Sequence, residues 1–274
     1  METSEKKPSG LLQVQKKREN FTLALFSPSK DLDLFVEHYW AVDWDLRGLA
    51  PQVSENLPHP SVHLVIEPDQ CRIVGIVKEK FSYVLKEQGV VFGVKFRPGA
   101  FFPFVNVPVS TYTGRSIPAH EVLGAEAADW ERAIRAGDDD HERVAITEAF
   151  LRGRMPAVQD ETISLITTIV DTVRADRAMK TVDDLASRFH LTTRMLQRMF
   201  SKYVGISPKW VIGRYRLLEV ADQLAHGQPA NWPQLAAELG YYDQSHFIKD
   251  FKCIVGLSPE EYIRKNAEAK VNSD

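Results

Sequence analysis

The chain has little of what most enzymes and secreted or membrane proteins need. Its 274 residues include only two cysteines, Cys71 and Cys253, too few for a zinc finger or a disulfide scaffold. No apolar run approaches the roughly 20 residues of a membrane-spanning helix. The polar start, Met1 to Asn20, lacks a signal-peptide core and reads as a disordered arm, so the expected compartment is the reducing cytoplasm. There is no glycine-rich phosphate loop, nucleophile elbow or zinc-protease histidine pair. The sequence therefore predicts no catalytic residues, no cofactor, no metal and no membrane partner. One further absence is local: from Arg188 to Arg216 there is no acidic residue, although the whole chain carries a formal net charge of -3.

What is present, in the last third, is a repeat. Leu185, Ala186, Phe189, Leu196, Phe200, Gly205, Ser207 and Pro208 recur as Leu235, Ala236, Leu239, Phe247, Phe251, Gly256, Ser258 and Pro259. The offset is 50 residues at first and 51 after the paired Tyr241 and Tyr242. Two copies make a duplicated supersecondary unit, because a solenoid needs at least three repeats to bury a core.

Each copy reads as two short helices joined by a tight turn. Thr181 can N-cap the first, with Asp183 and Asp184 in its opening turn, where carboxylates meet the positive end of the helix dipole. His190-Leu191-Thr192 forms the turn, and Leu196, Met199, Phe200 and Tyr203 mark the buried side of the next helix at spacings of three and four. Its outward side is then Arg194, Gln197, Arg198, Ser201 and Lys202. Gly205 closes the helix and Ser207-Pro208 starts another, Ser cap followed by Pro. The acid-free stretch adds Arg188, Lys209, Arg214 and Arg216, a basic run that predicts a phosphate partner, double-stranded DNA.

Met195 to Phe200, Gly205 to Pro208, Leu239-Gly240-Tyr241, Asp243 to Phe247 and Gly256 to Pro259 resemble the DNA-binding domain of AraC-type transcriptional regulators, over roughly residues 160 to 268. The resemblance implies two helix-turn-helix units, about 181–204 and 232–255, joined by a long helix from Pro208 to about Ala225. It also implies that the second helix of each unit enters a major groove. Arg194, Gln197 and Arg198 are then base readers, because arginine and glutamine match the two-point edges of guanine and adenine. Ser201 and Lys202 extend that face, and Gln244, Ser245, His246, Lys249 and Lys252 form its counterpart in the second unit. Asp243 and Asp250 should weaken phosphate binding there. His190 stands where the second unit has Gly240, so mild backbone strain is expected at the turn. The two cysteines argue against the DNA-repair relatives of this family, whose chemistry needs a cysteine cluster.

The remaining length suits a second domain. Val62 to Ile66, Cys71 to Val77, Phe81 to Leu85 and Val90 to Phe96 read as antiparallel strands of a sandwich or small barrel. Gly99 to Phe104, Val122 to Arg135 and Glu142 to Leu151 read as helices, and a helix over Thr162 to Ala175 begins the DNA-binding domain beyond a boundary near Met155-Pro156. The segments His38-Tyr39-Trp40, Leu57 to Pro60 and Gly93 to Gly99 resemble the amino-terminal domain of a poorly characterised group of AraC-type regulators, which implies a sensory or dimerising role. Trp40, Trp44, His63, Phe96 and Arg97 are the candidate pocket for a small-molecule effector, aromatic walls with one cation suiting an anionic ligand. His59, His63 and Glu67 have ligand-type side chains at intervals of four, but Pro58, Pro60 and Pro68 break any single element through them.

The fold class expected is α+β with two domains: an arm over 1–20, a β-rich sensing or dimerisation domain over 21–155, and an all-α DNA-binding domain over 156–270. The function expected is a sequence-specific, DNA-binding transcriptional regulator, with a homodimer as a candidate assembly and no enzyme activity. The alternative is an enzyme or metal-binding domain tethered to DNA by the carboxy-terminal half.

Overall fold

In the computed structural model, residues 20–137, 139–156, 160–227 and 231–271 are described. The arm expected over 1–20 lies, apart from Asn20, outside them. Six strands form one antiparallel sheet in the order β1 (Phe21–Phe26), β2 (Val36–Asp45), β7 (Gln88–Phe96), β4 (His63–Ile66), β5 (Cys71–Val74) and β8 (Ser116–Pro118). β3 (Gln52–Asn56) and β6 (Phe81–Leu85) pair as a separate ribbon. The sheet is open, with β1 and β8 at its edges, so of the two expected architectures the closed barrel is excluded.

Alternation along the strands sends side chains to two different cores. Tyr39 and Ala41 on β2, with Phe92, Val94 and Phe96 on β7, face a helical layer. Trp44 and Val91 face the ribbon, where they pack with Leu46, Val65 and Leu85. The two tryptophans of β2 lie flat on glycines of β7. A Cβ at Gly93 would come within 2.3 Å of the Trp40 ring, and one at Gly89 within 2.4 Å of Trp44.

The helical layer holds α1 (Phe102–Val105), α2 (Ala119–Leu123), α3 (Glu126–Ala136) and α4 (Asp140–Arg152). The single helix expected over Val122–Arg135 is two helices, because Gly124 adopts φ 81°, ψ 179° between them. The strand expected to reach Val77 stops at Val74, where Gly75 presses so closely on the Tyr112 carbonyl that no Cβ fits.

The carboxy-terminal part is helical throughout: α5 (Glu161–Ala175), α6 (Val182–Arg188), α7 (Thr193–Met199) with a π-helical turn at Phe200–Val204, α8 (Pro208–Ala225), α9 (Trp232–Glu238), α10 (Gln244–Val255) and α11 (Pro259–Val271). Its first half shares a core with the sheet. One buried cluster runs from Tyr39, Leu64 and Phe96 through Ile163 and Ile166 of α5 to Leu185, Leu196, Phe200 and Val211. The second half has its own core of Leu217, Val220, Leu224, Phe247, Phe251 and Ile254. α8 contributes to both clusters.

Candidate nucleic-acid interface

The repeat seen in the sequence recurs in the hydrogen bonds of the turns and in the caps of the second helices. α6 opens with a capping box in which Asp184 N–H donates to Thr181 Oγ1 at 3.1 Å and Thr181 N–H donates to Asp184 Oδ2 at 3.0 Å. That bonding also holds the Asp184 carboxyl below its ordinary range. α6 ends when Leu191 N–H bonds the Ala186 carbonyl at 2.9 Å, and α9 ends when Tyr241 N–H bonds the Ala236 carbonyl at 2.9 Å. The second helices start on Thr192 and Asp243, whose side chains accept from Met195 N–H and His246 N–H. They close at Gly205 (φ 90°) and Gly256 (φ 87°).

The left-handed residue of the first turn is His190, at φ 53°, opposite Gly240 at φ 77°. A side chain there costs roughly 1–2 kcal/mol, and the His190 imidazole is exposed. His190→Gly should therefore raise stability by about 1 kcal/mol, after allowing for the freer unfolded chain. Urea denaturation checks this, and an unchanged or lower midpoint would show that the imidazole compensates the strain.

On α7 and its π turn, Arg194, Gln197, Arg198, Ser201 and Lys202 are all exposed. Arg194, Gln197 and Arg198 make no ion pair or side-chain hydrogen bond among the described residues. Lys202 instead lies over the rings of Phe102 and Tyr203, 4.6 and 5.0 Å from their centroids. On α10, Ser245, His246, Lys249 and Lys252 are exposed and Gln244 half-buried. His246 Nδ1 is held 3.0 Å from the capping carboxylate of Asp243. The sequence missed Tyr242, 95% exposed at the turn before α10, and Met195, 54% exposed on α7. The doubled tyrosine at the insertion was the signal available for Tyr242.

Part of the basic run needs correction. Arg214 and Arg216 are 1% and 4% exposed and face inward. Arg216 donates to Glu219 and to the Val173 carbonyl. The surface cations of the run are Arg188, Arg194, Arg198, Lys202 and Lys209. A further one comes from the sheet domain: Lys78 lines a shallow cavity of about 300 Å³ with Gln197, Ser201 and Trp210.

The candidate effector pocket does not assemble as five residues. Trp40, Trp44 and His63 share one face of the sheet, but Phe96 points through the other, its ring 5.0 Å from that of Phe101. Arg97 turns to the loop before β2, bonding the Asp33 carbonyl at 2.5 Å and its carboxylate at 2.6 Å. Nor do His59, His63 and Glu67 converge. Glu67 is ion-paired with Arg72 at 2.8 Å, His59 bonds Ser61 at 2.9 Å, and the described residues hold no three-ligand metal cluster.

The histidines of that face are half-buried. Burial, reinforced by the Lys95 charge, pushes His63 down to about 3 and His38 down to about 4, and it pushes His59 well below the ordinary histidine range. The unfolded chain therefore takes up protons below about pH 6.5 while the folded chain does not, so this contribution to stability is present above that pH and lost as pH falls toward 4. Urea midpoints should drop between neutral pH and about pH 5, with a shallower drop in His38→Gln; equal slopes in both proteins would contradict the assignment.

Two short helices joined by a capped turn, with an exposed second helix bearing free arginine and glutamine side chains, define the class: a helix-turn-helix protein, here with the unit duplicated. Residues 185–265 match the helix-turn-helix domain family and residues 24–118 match a domain of unknown function, DUF6597. The chain carries an AraC-type DNA-binding domain behind that amino-terminal domain. It is 31% identical over 87 residues to the transcriptional activator RhaS of Escherichia fergusonii and 30% identical over 88 residues to the transcriptional activator RhrA of Rhizobium meliloti. Each match spans 32% of this chain, and 31% and 28% of the relatives' own lengths. Among solved structures, the carboxy-terminal domain of AraT from Geobacillus stearothermophilus is 22% identical over 40% of this chain and 88% of that one, with a TM-score of 0.31. ToxT of Vibrio cholerae is 12% identical over 89% of this chain and 98% of that one, with a TM-score of 0.32. No helix among the described residues is long and apolar enough to cross a membrane.

Proposed function

We propose that the protein is a sequence-specific transcriptional regulator that binds duplex DNA through α7 and α10, placed in successive major grooves. The observation that carries this reading is the duplicated unit, each copy presenting an exposed second helix. The free donors Arg194, Gln197 and Arg198 read bases, and Ser201, Lys202, Ser245, Lys249 and Lys252 are placed for backbone or base contacts. The two units are unequal. The first has free cations, whereas the second has His246 tied to Asp243 and Lys252 within 3.9 Å of Glu261. The first unit therefore supplies more of the affinity.

The amino-terminal half serves as a regulatory domain whose shared core reaches the first unit directly, and a homodimer would double the DNA contacts. The test is selection of bound sites by the full chain from a random duplex pool. The expected result is two conserved blocks about 10 base pairs apart, the better-defined block belonging to α7. Recovery of no sequence preference would defeat the reading.

A further inference from the structure

The sheet face that carries Trp40 ends in a row of nitrogen-bearing side chains. The strand register places Lys95 of β7 opposite both His38 of β2 and His63 of β4. Lys95 is 4% exposed and its Nζ pairs with Glu37 at 3.1 Å. Beside this row, the Trp40 indole lies on Gly93, its ring 6.4 Å from that of His63. Its Nε1–H is buried and has no acceptor among the described residues.

From α8, Arg214 reaches this same region. Its side chain donates from Nε to the carbonyl of Pro58, in the segment leading into β4, and its charge is felt by both Lys95 and His59. It is 1% exposed, yet its Nη1 and Nη2 are buried without a hydrogen-bond partner among the described residues. A guanidinium stays charged at any physiological pH. Glu37 is already engaged by Lys95, and burial keeps the three histidines neutral. One positive charge is left without its counter-charge. The guanidinium lies over the Tyr215 ring, 4.8 Å from its centroid, but a ring face supplies neither an anion nor an acceptor for Nη1 and Nη2. Leaving a buried charge without a counter-ion and two donors without acceptors is among the costliest arrangements a protein can hold. The bond from Nε to Pro58 accounts for the position of Arg214 but not for its free fork.

We propose that Arg214, with Lys95, His59, His63 and Trp40, forms a binding site for a small organic monocarboxylate at the junction of the sheet and α8. Two carboxylate oxygens match the two free Nη groups of a guanidinium fork, and a single negative charge balances the one in excess. The half-buried histidine rings and the Trp40 ring offer a mixed surface to the body of the ligand. α8 belongs to both buried clusters and joins the two helix-turn-helix units, so a ligand bridging Arg214 and the sheet fixes the helix from which both units hang. The coupling, though not the binding, rests on the regulatory reading above.

The test uses the full chain, with hexanoate and benzoate as probes and hexanamide and benzamide as uncharged counterparts of nearly the same shape. Thermal melting and tryptophan fluorescence report binding without DNA, and DNA affinity is measured separately on the same samples. At millimolar concentration at least one carboxylate should raise the melting temperature while its amide does not. Arg214→Met should weaken that carboxylate tenfold or more, and without ligand it should melt at or above the parent, since an unpaired charge has been removed. Arg214→Lys, which keeps the charge and loses the fork, should fall between them. The site is overturned if no carboxylate shifts melting, if carboxylate and amide act equally, or if inorganic phosphate alone acts. It is also overturned if Arg214→Met binds carboxylate like the parent, or if both variants melt far below it without ligand. Specific DNA binding by the ligand-free chain can stand when the site fails, and the site can stand when DNA binding fails.

Discussion

Gly205→Ala is expected to lower the stability of the full chain by about 2–4 kcal/mol, from left-handed backbone strain and overpacking together. Gly205 has φ 90°, and an added Cβ would lie 2.9 Å from the Val109 carbonyl oxygen and 3.0 Å from Thr113 Oγ1. The Val109 oxygen is backbone and cannot rotate away. The Thr113 hydroxyl donates to the Gly205 carbonyl at 2.6 Å, so the same substitution disturbs the bond that ties the end of the first recognition helix to the amino-terminal domain. Gly240→Ala is the comparison. Its φ is 77° but nothing lies within 4 Å of an added Cβ, so it should cost only about 1 kcal/mol. Chemical denaturation of both variants measures the difference. Equal losses would show that the Gly205 contact with the sheet domain contributes nothing.

Arg198→Ala should cost about 1–3 kcal/mol of binding on the best DNA site and relax preference at one base position. The guanidinium is exposed on α7 and has no partner among the described residues, so its loss leaves no buried group unpaired. Stability should be unchanged. Lys202→Ala should weaken all sequences about equally and reduce the salt slope by roughly 1. Lys202 must leave the rings of Phe102 and Tyr203 to reach a phosphate, so its effect should be the smaller. Binding isotherms on the selected site and single-base variants, at several salt concentrations, separate the two. A uniform loss for Arg198→Ala would remove it from the base readers.

The carboxy-terminal architecture was legible because local chemistry specifies it. Caps such as Thr181, Ser207 and Asp243, and left-handed closers such as Gly205 and Gly256, act within one turn of the chain. The sheet was less legible because both its faces are covered. In Val36–Asp45 polar and aromatic residues mix on the ribbon side while Tyr39 and Ala41 serve the helical side, so no alternation of polar and apolar marks the strand. The same ambiguity put Phe96 with Trp40, since which face a strand residue takes depends on register and on the irregularity between Val36 and His38.

Charge misled in one place. Arg214 and Arg216 extend the acid-free run in sequence, but α8 is covered on more than one side, burying Arg214 against Pro58 and Arg216 against Val173 and Glu219. Nor could the pattern show that the core would run without a break from the sheet into α5, α6 and α7. A fragment starting near residue 160 would lose the packing of Gly99 against Ile166, which is 0% exposed here, so DNA measurements belong on the full chain.

Under the proposed function, one chain places two recognition helices on one face of a duplex. Hydroxyl-radical footprinting of the full chain on its selected site tests it directly. Protection is expected over about 20 base pairs in two segments centred roughly one helical turn apart. Lys249→Ala and Ser245→Ala should weaken one segment, and Arg194→Ala and Arg198→Ala the other. A single protected segment, or two that respond together to changes in either helix alone, would contradict it.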